Sequence, residues 1–190
     1  MTDVSVGTRG RPRRADADEA ILNAALELLA ETGAAGFSMD VLAQRAGVGK
    51  ATIYRRWASK EALVLDALRT ATAPIPVPDE GDLRADLSAY TDALVERFGG
   101  GRGSDVLPHL IAASCYDDQL RASLDDYTRG RQRTIRLILR RGIERGELPP
   151  DTDVDLLVDV ILGPFLYRHL LTGAPVDRKF ARRLVDHVTR

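Results

Sequence analysis

The sequence predicts an all-α chain of about nine helices, a small three-helix head followed by a larger helical bundle. Three observations point there. Apolar residues recur every three or four positions, as in Ile21, Leu22, Ala25, Leu28 and Leu29, or Leu83, Leu87, Tyr90, Leu94 and Phe98, the period of a helix with one buried face. Residues that stop helices separate these stripes: Gly33, Gly47, PIPVPDEG at 74–81, GGGRG at 99–103 and RGELPPDTD at 145–153. The run from Leu156 to Leu171 is apolar on nearly every side, broken only by Asp159, Arg168 and His169, and a helix apolar all round is buried all round.

The chain has 190 residues, enough for one sizeable core plus a small second unit. Lys and Arg total 27 against 28 Asp and Glu, so the summed charge gives no affinity for a polyanion, and any basic surface must be local. The single cysteine, Cys115, excludes an internal disulfide and suits a reducing compartment. No apolar run is long enough to span a bilayer, and the first residues are polar and basic, without the apolar core of a signal peptide. These features predict a cytoplasmic protein with no membrane partner.

Residues 1–15 read as a flexible basic arm. Arg9, Arg11, Arg13 and Arg14 fall within six positions together with Gly10 and Pro12, a composition that resists helix and favours disorder. Beside a basic head, Arg11, Arg13 and Arg14 are candidates to lie along phosphates or enter a minor groove; otherwise the stretch is a solubilising tail. The first helix is expected to begin near Asp16, with Glu19 completing a capping-box spacing, and to run to Gly33. Its place is to support the two short helices next in the chain.

Between Phe37 and Leu63 two short helix patterns are joined by a tight turn containing glycine. From Val41 to Lys60 there are five cations, Arg45, Lys50, Arg55, Arg56 and Lys60, and no acid. Together these features point to a helix-turn-helix that reads DNA. Ser38 is expected to cap the first of these helices with its hydroxyl and counts among the candidate DNA-contacting residues; Gly47 ends it. Met39, Leu42, Ala43 and Ala46 should face the core. After the turn Val48 and Ile53 point inward, leaving Lys50, Ala51, Thr52, Arg55 and Arg56 on the open side. Ala51 and the Thr52 methyl let the helix approach base edges closely, and an arginine fork matches the acceptors of guanine. Tyr54 offers a hydroxyl to a phosphate, and Lys60, at the start of the next helix behind a Ser59 cap, offers a cation there. Trp57 should brace the unit from inside.

GVGKAT at 47–52 invites a rival reading as the phosphate loop of a nucleotide hydrolase. The spacing excludes it: that loop needs a glycine five residues before the Gly-Lys pair and Ser or Thr directly after the lysine, where Gln44 and Ala51 stand. A second alternative, from another class, is a binding or interaction bundle whose basic head is incidental.

From Ile21 to Leu68 the chain resembles the DNA-binding domain of the tetracycline-repressor family of bacterial transcription regulators. The resemblance is carried by Gly33, Phe37, Ala43, Gly47, Val48, Tyr54, Trp57, Lys60, Glu61 and Leu63. It implies an all-helical homodimer that binds a palindromic double-stranded operator and releases it when a small molecule enters the C-terminal domain. It further implies DNA contact at Lys50, Ala51, Thr52, Tyr54, Arg55, Arg56 and Lys60. Gly49 departs from the pattern, which more often has Ser or a similar capping residue there. In this family the helix after the motif, here starting at Ser59 and ending before Pro74, links the effector site to the reading head. Its tilt then sets the separation of the two reading helices against half-sites about 34–36 Å apart.

The head with its connecting helix therefore spans 16–73, and 74–190 forms an effector-binding and dimerisation domain. Helices are expected over 83–98, from Ser104 to about Tyr116, from Asp118 to Arg145 with a bend near Gly130, over 156–171 with a kink at Pro164, and over 177–189. The all-round apolar run needs a second copy of the chain to cover it, and the final helix adds a stripe of its own. Leu157, Ile161, Phe165, Phe180, Leu184 and Val188 are the candidate homodimer contacts. Phe98, Ile111, Cys115, Tyr116, Tyr127, Leu162 and Phe165 are the candidate lining for a small hydrophobic effector. No cofactor and no metal are expected: His109 and Cys115 do not share a helix face, and His169 and His187 lack further soft ligands nearby. No nucleophile, base and orienting partner assemble, so no enzyme is predicted.

Overall fold

A computed structural model describes residues 12–72, 74–98 and 106–189, with side chains except at 12–16, 34 and 35. Among the described residues the elements are nine α-helices and one π-helical turn. The chain divides into two compact units between Ala71 and Thr72.

The first unit holds α1 (Pro12–Gly36), α2 (Met39–Arg45), α3 (Lys50–Tyr54) and α4 (Lys60–Ala71). α1 begins four residues before the expected Asp16, with Pro12 at its first position, where a missing N–H and a fixed φ suit a helix start. Arg13 and Arg14 thus belong to the first turn of α1 and not to an arm; Arg11 lies outside the described residues. Asp16 sits one turn inside the helix. Gly33, at φ 65°, breaks α1 where the stripe ends. Ile21, Ala25 and Leu28 of α1, Leu42 of α2, Ile53 of α3 and Leu63 and Ala67 of α4 are all but fully buried and form the centre of this unit. Ser59 caps α4 as expected, its Oγ accepting from Ala62 N at 3.1 Å. Ser38 occupies the N-cap of α2 with extended backbone, but its hydroxyl makes no capping bond.

The second unit holds α5 (Leu83–Phe98), α6 (Val106–Ser114), α7 (Asp118–Glu144), α8 (Val154–Tyr167), a π-helical turn (Arg168–Thr172) and α9 (Arg178–Val188). Aspartates open three of these helices: Asp117, Asp153 and Asp177 accept from Leu120, Leu156 and Phe180 N at 2.9, 3.0 and 2.7 Å. α7 is continuous through Gly130 and ends before Gly146, at φ 74°. α8 stays α-helical through Pro164 and widens only beyond Tyr167. The core is built from Leu87 and Tyr90 of α5, Ile135, Ile138 and Leu139 of α7, Val158, Ile161 and Phe165 of α8, and Ala181 and Val185 of α9.

A single chain covers only one side of α8 and of the turn after it: Leu156, Val160 and Tyr167, with Leu171 of the π-helical turn, stand 59, 40, 58 and 76 % exposed. Ile161 and Phe165, expected at a partner's surface, point the other way into the protomer's own core. Phe165 is closed in by Phe98 and Phe180, with ring centroids 6.0 and 5.2 Å away. Leu157, Phe180, Leu184 and Val188 are partly buried against the same core.

One buried charge ties the start of α5 to the end of α7. Asp86, with no exposed surface, accepts from Glu80 N at 2.7 Å and faces Arg145 Nη2 at 3.0 Å and Arg141 Nη1 at 3.6 Å. Glu147 accepts from Leu83 N at 2.6 Å, so the start of α5 and the end of α7 are joined twice. Removing the acid leaves the Glu80 N–H unanswered and takes one partner from each of two guanidiniums, Arg141 keeping Asp79 and Arg145 keeping Glu147. Asp86→Ala is expected to lower stability by about 3 kcal/mol, read as a fall in the urea midpoint. Arg84→Ala breaks only the exposed pair with Asp186 and is expected to change it by less than about 1 kcal/mol.

Candidate nucleic-acid interface

The interface is formed locally by the turn from α2 to α3. Gly47 takes φ 65°, and Val48 N returns to Ala43 O at 3.0 Å, closing α2 and redirecting the chain. Gly49, extended at φ −72° and ψ 143°, is the N-cap of α3. Ile53 is fully buried and Trp57 nearly so, its indole N–H donating to Asp66 Oδ2 at 3.1 Å. With that side taken by the core, Lys50, Ala51, Tyr54 and Arg55 are exposed and Thr52 is half-buried. Tyr54 is 48 % exposed, so it is a surface residue and not a core filler. Arg55 Nη2 donates to Thr52 Oγ1 at 3.0 Å, which orients the guanidinium along the outer face.

The cations of the motif differ in their anchoring. Arg45 makes a two-armed bond to Glu31, both contacts 2.7 Å. That bond raises the arginine's pKa and lowers the carboxylate's. Lys50 Nζ is 2.6 Å from Asp40 Oδ1, whose hydrogen bond raises the ammonium's pKa. Arg56 is not on the open side as expected. Its side chain is 16 % exposed and turned back to α1, with Nε 2.5 Å from Asp18 Oδ1. Lys60 is half-buried, its ammonium 5.4 Å from the centroid of the Phe37 ring. Asp18 and Glu31 escape a sequence reading confined to the motif, because they come from a helix far earlier in the chain. Asp40, one residue outside the acid-free window, is the one acid whose position in the sequence signals its role.

In the second unit, Phe98, Ile111, Tyr127 and Leu162 are half-buried. Cys115 and Tyr116 are not lining residues: they lie past the end of α6 on the surface, Tyr116 at 95 % exposure. Phe165 is a core residue with its ring enclosed. Among the described residues no group of three or more His, Cys, Asp or Glu is placed to hold a metal ion, and no helix is long and apolar enough to cross a membrane.

Comparison with known proteins agrees with this geometry over both units. Residues 21–67 match the family described as bacterial regulatory proteins, tetR family, and residues 77–188 match the tetracyclin repressor-like C-terminal domain. An uncharacterized HTH-type transcriptional regulator of Bacillus subtilis, YdeS, is 38 % identical over 179 residues, 93 % of this chain and 90 % of the relative. The DNA-binding transcriptional repressor TetR of Mycobacteroides abscessus is 36 % identical over 183 residues, covering 95 and 93 % of the two chains. The crystal structure of the TetR family transcription regulator SCO0332 superposes with a TM-score of 0.75 at 34 % identity, covering 92 % of this chain and 97 % of that one. The chain belongs to the tetR family of bacterial regulatory proteins and is a DNA-binding transcriptional regulator.

Proposed function

We propose that this regulator is a cytoplasmic repressor that binds a palindromic operator as a homodimer and leaves it when a small molecule occupies the second unit. The observation that carries the reading is the one-sided exposure of α3, which sets Ala51, Tyr54 and Arg55 outward with Thr52 beside them. Ala51 and Thr52 allow close approach to base edges, Arg55 reads a base, and Tyr54, Lys50 and Lys60 hold phosphates. Arg56 braces α1 through Asp18. The role is binding and release, with no bond chemistry.

Homodimerisation is supported by the stripe Leu156, Val160, Tyr167 and Leu171, whose exposure in a single chain is costly. A two-fold axis laid along it would pair the stripe with its own copy, matching the symmetry of a palindrome. Residues of this outer face therefore replace Ile161 and Phe165 as the proposed contacts. The C-terminal end of α4, at Ala71, meets the second unit directly in the chain. A shift there changes the spacing of two reading helices against half-sites about 34–36 Å apart.

Selection of bound sites from random DNA tests the reading and should return an inverted repeat. Arg55→Ala is expected to relax preference at one base position, costing about 1–3 kcal/mol there. Lys60→Ala should weaken all sequences alike and lower the salt slope by about one. Asp40→Asn should tighten binding to every sequence, because Lys50 no longer answers an internal acid. For the dimer, Tyr167→Glu with Leu171→Glu should give a helical monomer in sedimentation that no longer binds the repeat. A dimer that survives this double change removes the stripe from the interface.

A further inference from the structure

Among the described residues, Arg131, on α7, is anchored without an acid. Its Nη2 donates to Thr72 O and, at 2.5 Å, to Thr72 Oγ1, and its guanidinium lies over the Tyr127 ring, 4.8 Å from the centroid. Tyr127 OH shares a 3.3 Å hydrogen bond with the same Thr72 hydroxyl. The other amino group, Nη1, is buried and has no hydrogen-bond partner. Arg97, in the last turn of α5, is the neighbouring cation. Burial, then the charge of Arg131, hold its pKa below the usual arginine range, opposed by Tyr127 and Tyr90. Tyr90, with its hydroxyl pushed up to about 12 mainly by burial, stays neutral.

A buried guanidinium donor left unanswered at Arg131 Nη1 costs stability until an acceptor joins it. A guanidinium's planar fork is matched by a carboxylate, and the Tyr127 ring beside it offers an apolar wall. We propose that the second unit binds a small carboxylate with an apolar body, its head on Arg131 Nη1 with Arg97 alongside. This rests on the reading of that unit as an effector domain and names the effector's class. Thr72 follows the last residue of α4, so a carboxylate on Arg131 competes with the bonds that hold the chain where it leaves the reading head.

The full-length protein is titrated with benzoate, hexanoate and octanoate, and with the primary amide of each, by calorimetry and thermal melting. At least one carboxylate should bind and raise the Tm where its amide does not. Arg131→Met should weaken it by about tenfold or more. Arg97→Met, which leaves the Thr72 bonds in place, should weaken it in the same direction. No difference between acids and amides, or unchanged affinity in both variants, overturns the proposal. A Tm rise with inorganic phosphate that is lost in Arg131→Met, with none from the carboxylates, overturns the carboxylate assignment. DNA binding measured on the same samples separates the two readings: if it persists while no carboxylate registers, the effector class is wrong and the regulator stands.

Discussion

A helix of five residues has no stability of its own, and α3 exists because Ile53 and Trp57 are buried beneath it. The Trp57 indole, bonded to Asp66, pins the end of the motif to α4. This dependence explains why the outer side is so polar and open. The one large aliphatic side chain of α3, Ile53, is on the inner side, and Ala51, Tyr54 and Arg55 face outward. The affinity surface and the fold are thus two faces of the same few residues.

The charge of the head is arranged as well as concentrated. Asp18, Glu31 and Asp40 each hold one of the motif's cations in place. Exposed pairs of this kind add little stability, but they reduce the rotamer freedom of Arg45 and Lys50 and temper attraction to any polyanion. In the proposed operator reading this lowers sequence-independent affinity and raises the share of binding that depends on base contacts. Arg56 is the extreme case, drawn far enough back to serve the core.

In the second unit the same economy of faces divides α8. One side, Val158, Ile161 and Phe165, meets α5, α7 and α9; the other is apolar and open. Two buried charged groups of this unit follow different logic. Around Asp86 the charges are balanced by geometry and join the ends of α5 and α7. Around Arg131 one amino group is buried with no hydrogen-bond partner, the place proposed for a ligand's carboxylate.

Periodicity and punctuation were enough to show the helices, because burial of one face and termination at Gly47, Gly146 or an aspartate cap are properties of neighbouring residues. The helix after the turn and the exposure of Lys50, Ala51 and Arg55 were legible for the same reason, though the placing of Arg56 was not. The start of α1 at Pro12 was hidden by a basic composition that reads as tail. Which acid meets Arg56, which face of α8 is turned to the core, and the exposure of Tyr116 depended on residues distant in sequence. Local pattern determined that Leu156 to Leu171 was apolar and helical; only tertiary packing, by covering Ile161 and Phe165 from α5 and α9, decided which side was left exposed.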